Sequence, residues 1–115
     1  MKLMPNNIQK IVAYFSKQVE KILGSRLKRI VLYGSYARGD YRSNSDIDIM
    51  ILTDLSDEEI EDYRDKIVSV AFDIELENGI IISPVIKNID KFNAKIDFIP
   101  FYMNVQKEGV VLVDE

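Results

Sequence analysis

The chain has 115 residues, 47% of them hydrophobic and 30% charged, a formal net charge of -4, and neither cysteine nor histidine. That is apolar material for one core and not two, so a single domain over 1–115 is expected. The missing residue types exclude disulfide frameworks, thiolate zinc sites, cysteine nucleophiles and every imidazole-based triad, while the acidic balance argues against a nucleic-acid binder held by overall charge.

Any catalysis must then run on carboxylates, hydroxyls, lysines or a bound metal. The N-terminal "MKLMPNNIQK" has no signal-peptide architecture and the apolar runs are short, so neither export nor a membrane span is indicated and the cytoplasm is the expected location. Charge is divided unevenly along the chain. Residues 1–45 hold nine Lys or Arg against two acids, and residues 46–115 hold six against seventeen. A solvated basic helix followed by a solvated acidic one is the first explanation, and a positive surface near the loop that attracts phosphate is the alternative.

Ile8, Ile11, Val12, Phe15, Val19, Ile22 and Leu23 recur at three-to-four spacing, which predicts an amphipathic helix over 6–23 closing at Gly24. "RIVLYG", 29–34, is β-branched and aromatic and reads as a buried strand, followed by a short helical turn in "SYARGD". "DIDIMILT", 46–53, is a second strand. Ser56 then opens a helix with a capping box to Glu59 and a Leu55–Ile60 staple, and that helix runs to Asn78 and Gly79. "GIIISPVI", 79–86, is a third strand, with Pro84 favouring its end or an edge position. A weaker helix over 98–108 stops at Gly109, and "VVLV" is a last short strand. Only about a dozen residues join strands one and two, too few for a crossover, so the two are expected to be antiparallel. The fold class that follows is α/β of the α+β kind: a mixed, mostly antiparallel sheet with helices packed on it.

Two features stand out against this background. Gly34 and Ser35 lie where the first strand runs out, and a glycine, a hydroxyl and exposed amides there can cradle an anion, although such turns are common. Asp46 and Asp48 sit two apart in an otherwise apolar strand, so both project from one face at a repeat of about 6.6 Å. Two ionised carboxylates cannot be buried unpaired, and a divalent cation between them would remove the repulsion. The alternative is a solvent-facing strand start, with Asp46 capping the loop and Asp48 paired to Arg38 or Arg42.

Gly34 and Ser35, then ten residues, then Asp46, Ile47 and Asp48, with Ala37, Arg38, Gly39, Ser43 and Ser45 between, resemble the signature of the polymerase-beta-type nucleotidyltransferase superfamily. "LYGSYARGD" and "SNSDIDIMI" are similar, more narrowly, to the minimal nucleotidyltransferases of prokaryotes. The resemblance implies a nucleotidyltransferase fold in which Gly34 and Ser35 hold the triphosphate of ATP or another nucleoside triphosphate. Asp46 and Asp48 would be the catalytic pair that holds Mg²⁺ or Mn²⁺, and a nucleoside monophosphate, in the first instance AMP, would pass to an acceptor hydroxyl with release of pyrophosphate. Arg38 is a nucleotide contact or else a salt-bridge partner of Asp40 or Asp46, Ser45 is a weaker candidate for the nucleotide, and Tyr36 and Tyr41 are candidates for stacking on a base.

One departure from the family pattern bears on activity. Many relatives supply a third Asp from the following strand, yet "GIIISPVI" has no acid and only Ser83 as a polar side chain. The competing reading is therefore a weak or inactive nucleotide-binding module that acts by binding a partner. The resemblance also implies that partner, since minimal nucleotidyltransferases are often paired with HEPN-type toxins as antitoxins. A chain too short for an acceptor domain needs such a protein, or a second copy of itself, to complete the pocket. The acidic helix that begins "SDEEIEDYRD" is a solvated face or, alternatively, a docking face.

Overall fold

The computed structural model describes residues 4–114. In chain order the elements are α1 (Asn6–Leu23), a single 3₁₀ turn (Gly24–Arg26), β1 (Leu27–Tyr33), α2 (Ser35–Arg38), β2 (Ile47–Thr53), α3 (Asp57–Asn78), β3 (Ile82–Asn88), α4 (Ile89–Lys95), α5 (Pro100–Glu108) and β4 (Val110–Asp114). The four strands form one sheet in the order β3-β2-β1-β4. β1 pairs antiparallel with both β2 and β4, whereas β2 and β3 are parallel and joined through α3. A dozen-residue link returns the chain beside itself, but a parallel neighbour needs a crossover, and α3 supplies it. The mixed, mostly antiparallel architecture is thus as the pattern predicts.

Both faces of the sheet are covered, and strand alternation assigns each residue to one of them. Ile30, Leu32, Ile47, Ile49 and Ile51 point to the face that packs on Ile8, Phe15 and Val19 of α1 and on Ile60, Ile67 and Ile74 of α3. Val31, Tyr33, Met50 and Leu52 point to the other, under Phe92 of α4 and Val105 of α5. Asp48 belongs by parity to this second face, near the start of β2.

The local stop and start signals act as read. Ser56 accepts from the Glu59 N–H at 3.2 Å while the Glu59 carboxylate accepts from the Ser56 N–H at 3.1 Å, a closed capping box at the head of α3. Pro84 lies in β3, an edge strand, where its missing N–H costs no ladder bond to an outer neighbour. Several boundaries differ from expectation, β1 beginning at Leu27 rather than 29 and α5 at Pro100 rather than 98. β3 begins at Ile82 rather than 79, because Gly79 caps α3 in the left-handed region at φ 69° and the ladder with β2 starts only where Ile47 meets Ile82. Helix α4 falls in a stretch with no predicted element. Asn88 caps it, accepting from the Lys91 N–H at 3.0 Å, and with Phe92 as its one buried residue it carries too little periodicity to read. No helix among the described residues is long and apolar enough to cross a membrane.

Candidate active site

The site is built at the junction of β1, α2 and β2. Gly34 is buried and adopts φ 78°, ψ -156°, a conformation essentially reserved for glycine. A Cβ there would collide with Oδ2 of Asp48 and lie 3.1 Å from its Cγ and 3.3 Å from its Cβ. Glycine is required twice over, by its backbone angles and by the carboxylate that fills the space where a side chain would go. Ser35 opens α2, whose turn is closed by the Ala37 and Arg38 N–H groups donating to the Gly34 carbonyl at 3.1 and 3.0 Å.

Asp48 is partly buried, in register with Tyr33 on β1 and Ser83 on β3. Asp46 precedes the first residue of β2 and is exposed. Burial pushes the Asp48 carboxyl above its ordinary range, the charges of Asp46 and Glu108 push it the same way, and Arg38 opposes them. Tyr33 beside it is pushed up to about 12, first by burial and then by the charge of Asp48. The charge of Asp46 reaches Asp48, and no Lys or Arg forms an ion pair with either carboxylate among the described residues. The salt-bridged alternative, with Asp48 held by Arg38 or Arg42, is therefore not the arrangement found. A side-by-side carboxylate pair, one member partly desolvated, fits a divalent cation held jointly with phosphate oxygens.

Arg38 is engaged by two carboxylates. Its Nε donates to Asp40 at 3.2 Å and its Nη1 to Glu108 at 3.0 Å. The Asp40 partner is one of the two weighed from sequence; Asp46 is not a partner. Glu108, from the far end of the chain, also accepts from the Gly34 N–H at 3.4 Å. Nothing in the local sequence points to Glu108 as a site residue, since its contacts span 70 and 74 residues.

Ser45 has a structural task. Its Oγ accepts from the Arg42 N–H at 2.8 Å, and its own N–H donates to the Arg42 carbonyl at 3.1 Å, closing the turn that delivers Asp46 to β2. Tyr36 and Tyr41 stack on each other, with ring centroids 4.7 Å apart at 17°, and Tyr36 is buried, so each ring gives one face to the other. Behind this pair a cleft of about 430 Å³, lined in part by Ile8, Arg42, Asn44, Asp46 and Ile80, opens onto the Asp46 side of the site. It does not include Gly34 or Asp48. The chemistry is assigned from the carboxylate pair and the turn, and the cleft is room beside them.

Among the described residues no group of three or more acids is drawn together closely enough to hold a metal ion. Ser83 occupies the register position next to Asp48 and, by alternation, faces the same side. The strand from which the resemblance led us to expect a third carboxylate thus sets a hydroxyl beside Asp48.

The sequence matches the family model for the nucleotidyltransferase domain over residues 12–110. The chain belongs to the nucleotidyltransferase family. Its general reaction is nucleotidyl transfer. This nucleotidyltransferase is 36% identical over 106 residues to "Putative protein adenylyltransferase MJ0604" of Methanocaldococcus jannaschii, across 92% of this chain and 98% of that relative. Among solved structures it resembles a toxin-antitoxin crystallised with AMP-PNP, with a TM-score of 0.54 and 19% identity over 89% of this chain and 73% of the other. It also resembles the structure described as "a putative nucleotidyltransferase from Sulfolobus solfataricus", with a TM-score of 0.50 and 21% identity over 100% of this chain and 93% of the other. At those identities the two structures speak to the fold alone.

Proposed function

We propose that this nucleotidyltransferase moves AMP from ATP to a hydroxyl on a partner protein, with Asp46 and Asp48 as the residues that hold a divalent cation, Mg²⁺ or Mn²⁺. The observation that carries the reading is Asp48 meeting the Gly34–Ser35 turn so tightly that its carboxylate takes the volume of a Gly34 side chain, with the charge of Asp46 within reach of it. In the transfer the acceptor oxygen bonds to the α-phosphorus and the bond to the bridging oxygen breaks, releasing pyrophosphate. This chemistry needs placement and charge neutralisation more than covalent participation by the protein. Gly34 and Ser35 present the turn to the phosphates, and Arg38 is the cation nearest the turn. A bound Mg²⁺ or Mn²⁺ would neutralise phosphate charge and polarise the group in flight. The protein acceptor is supported by the name of the 36% identical relative and by the toxin-antitoxin neighbour; a HEPN-type toxin is the partner we favour on the resemblance to minimal nucleotidyltransferases.

A second reading is favoured by one observation, the absence of a three-acid cluster among the described residues. On this reading the domain holds nucleotide but turns over poorly, and acts by binding. One experiment separates the two. The purified chain is incubated with Mg²⁺, ATP labelled at the α-phosphate and a HEPN-type protein from the same genome. A labelled partner band that is lost in the Asp46→Ala, Asp48→Ala double variant supports transfer. Tight Mg-ATP binding with no label on any acceptor rejects transfer in favour of the binding module.

A further inference from the structure

Glu108 is the last residue of α5, where a carboxylate meets the negative end of the helix dipole and is electrostatically misplaced. Yet its side chain is only 23% exposed, and Oε1 accepts from both Arg38 Nη1, at 3.0 Å, and the Gly34 N–H, at 3.4 Å. A backbone amide and a guanidinium converging on one oxygen describe an anion slot with its anion in place. The placement is braced from behind. Gly109 lets α5 close on β1, since a Cβ at that position would collide with the Val105 carbonyl and stand 2.5 Å from Cγ1 of Val31.

We propose that Glu108 is a built-in phosphate mimic: in the nucleotide-free chain its carboxylate fills the slot made by Gly34 and Arg38, and a nucleoside triphosphate binds by displacing it. This rests on the reading that Gly34 and Arg38 face phosphate. The exchange is one of like for like, a carboxylate leaving as a phosphate arrives, so neither donor is ever left without an acceptor. It also sets a threshold. A triphosphate brings more charge and more acceptor oxygens than a carboxylate and prevails, whereas a lone inorganic phosphate has little advantage over a competitor already tethered in the slot. Glu108 would thereby select for the charged tail of the nucleotide, and its release would free the end of α5.

Calorimetry with ATP and Ca²⁺, and separately with inorganic phosphate, tests this on the whole chain as wild type, Glu108→Gln, Glu108→Ala and Arg38→Ala. Both Glu108 variants should bind ATP on the order of tenfold more tightly, because one charge-assisted contact no longer has to be broken, and should show phosphate binding that the wild type lacks. Glu108 variants that melt like the wild type and bind ATP equally or more weakly would overturn the proposal. Hydrogen exchange on the wild type is the check that needs no variant. ATP should speed exchange in the last turn of α5, and unchanged protection there also counts against displacement. If the wild type and all variants fail to bind, or Arg38→Ala binds ATP as well as the wild type, then the phosphate reading fails and takes this inference with it. Wild-type binding that weakens in Arg38→Ala but is unmoved in the Glu108 variants sinks the inference alone.

Discussion

Replacing Gly34 by alanine perturbs the site in two separable ways, and the structure puts a size on each. The backbone at φ 78°, ψ -156° lies in territory that costs a non-glycine residue about 1–3 kcal/mol. The new methyl would also strike Oδ2 of Asp48, forcing that side chain out of its rotamer at about 0.5–1.5 kcal/mol. Together these predict a loss of about 2–4 kcal/mol, a large part of the roughly 5–15 kcal/mol that holds a typical domain together. Gly79→Ala is the control. Gly79 also has a positive φ, 69°, but a Cβ there meets nothing within 4 Å, so only the left-handed strain of about 1–2 kcal/mol applies. Urea unfolding followed by circular dichroism gives both values from the shift in midpoint. Removing the struck group by Asp48→Ala should make Gly34→Ala cheaper by about 1 kcal/mol, a coupling that a double-mutant cycle isolates. Nucleotide binding should be lost in Gly34→Ala and kept in Gly79→Ala. Equal costs for the two glycines, with no coupling to Asp48, would refute the claim that this glycine exists to admit the carboxylate.

Further outcomes follow from charge and burial elsewhere. Burial first and the charge of Asp46 second disfavour the ionised form of Asp48, so Asp48→Asn should unfold at higher urea than the wild type in EDTA at neutral pH, and should lose transfer when assayed with Mg²⁺; a lower midpoint would show that the carboxylate supports the fold. Asp57 is lowered below its ordinary 3.8, first by the hydrogen bond from Lys91 and then by that residue's charge. A depressed carboxyl contributes stability that is present above 3.8 and is lost as pH falls through the folded value, so Lys91→Met should lower stability slightly at neutral pH, leave it unchanged at pH below the folded value, and so flatten the acid limb of the stability curve. An acid limb identical to that of the wild type would mean the pair contributes nothing in solution. Ser16 Oγ is buried with no hydrogen-bond partner among the described residues, so Ser16→Ala should be neutral or stabilising by up to about 1 kcal/mol, and a clear loss in thermal unfolding would point to a partner.

Much of this molecule was readable one element at a time. Strand period sorts Ile47, Ile49 and Ile51 from Asp48, Met50 and Leu52 without any knowledge of what lies opposite, and the short link after Gly34 dictates an antiparallel neighbour whatever the rest of the sheet does. Ser56 and Glu59 sit at capping distance in any helix that starts there. The elements that escaped were those whose definition is not local. Apolar residues at 79–81 look like the start of a strand, but a strand begins where a neighbour offers hydrogen bonds, and that is decided by β2. Ser45 is a weaker nucleotide candidate from sequence, and the fold adds a task that the sequence did not show, its hydroxyl accepting from the Arg42 N–H of its own turn.

By itself, then, the sequence determined the order of most elements, the carboxylate pair and the glycine turn, because each depends on neighbours within a few residues of one another. Only the tertiary structure decided that Glu108 meets Gly34 and Arg38, that Ser83 stands beside Asp48 where an acid was sought, and that Arg38 is shared between two carboxylates. Those contacts join residues up to 74 positions apart, and they come about only when packing α5 over β1 and β3 beside β2 closes the distance.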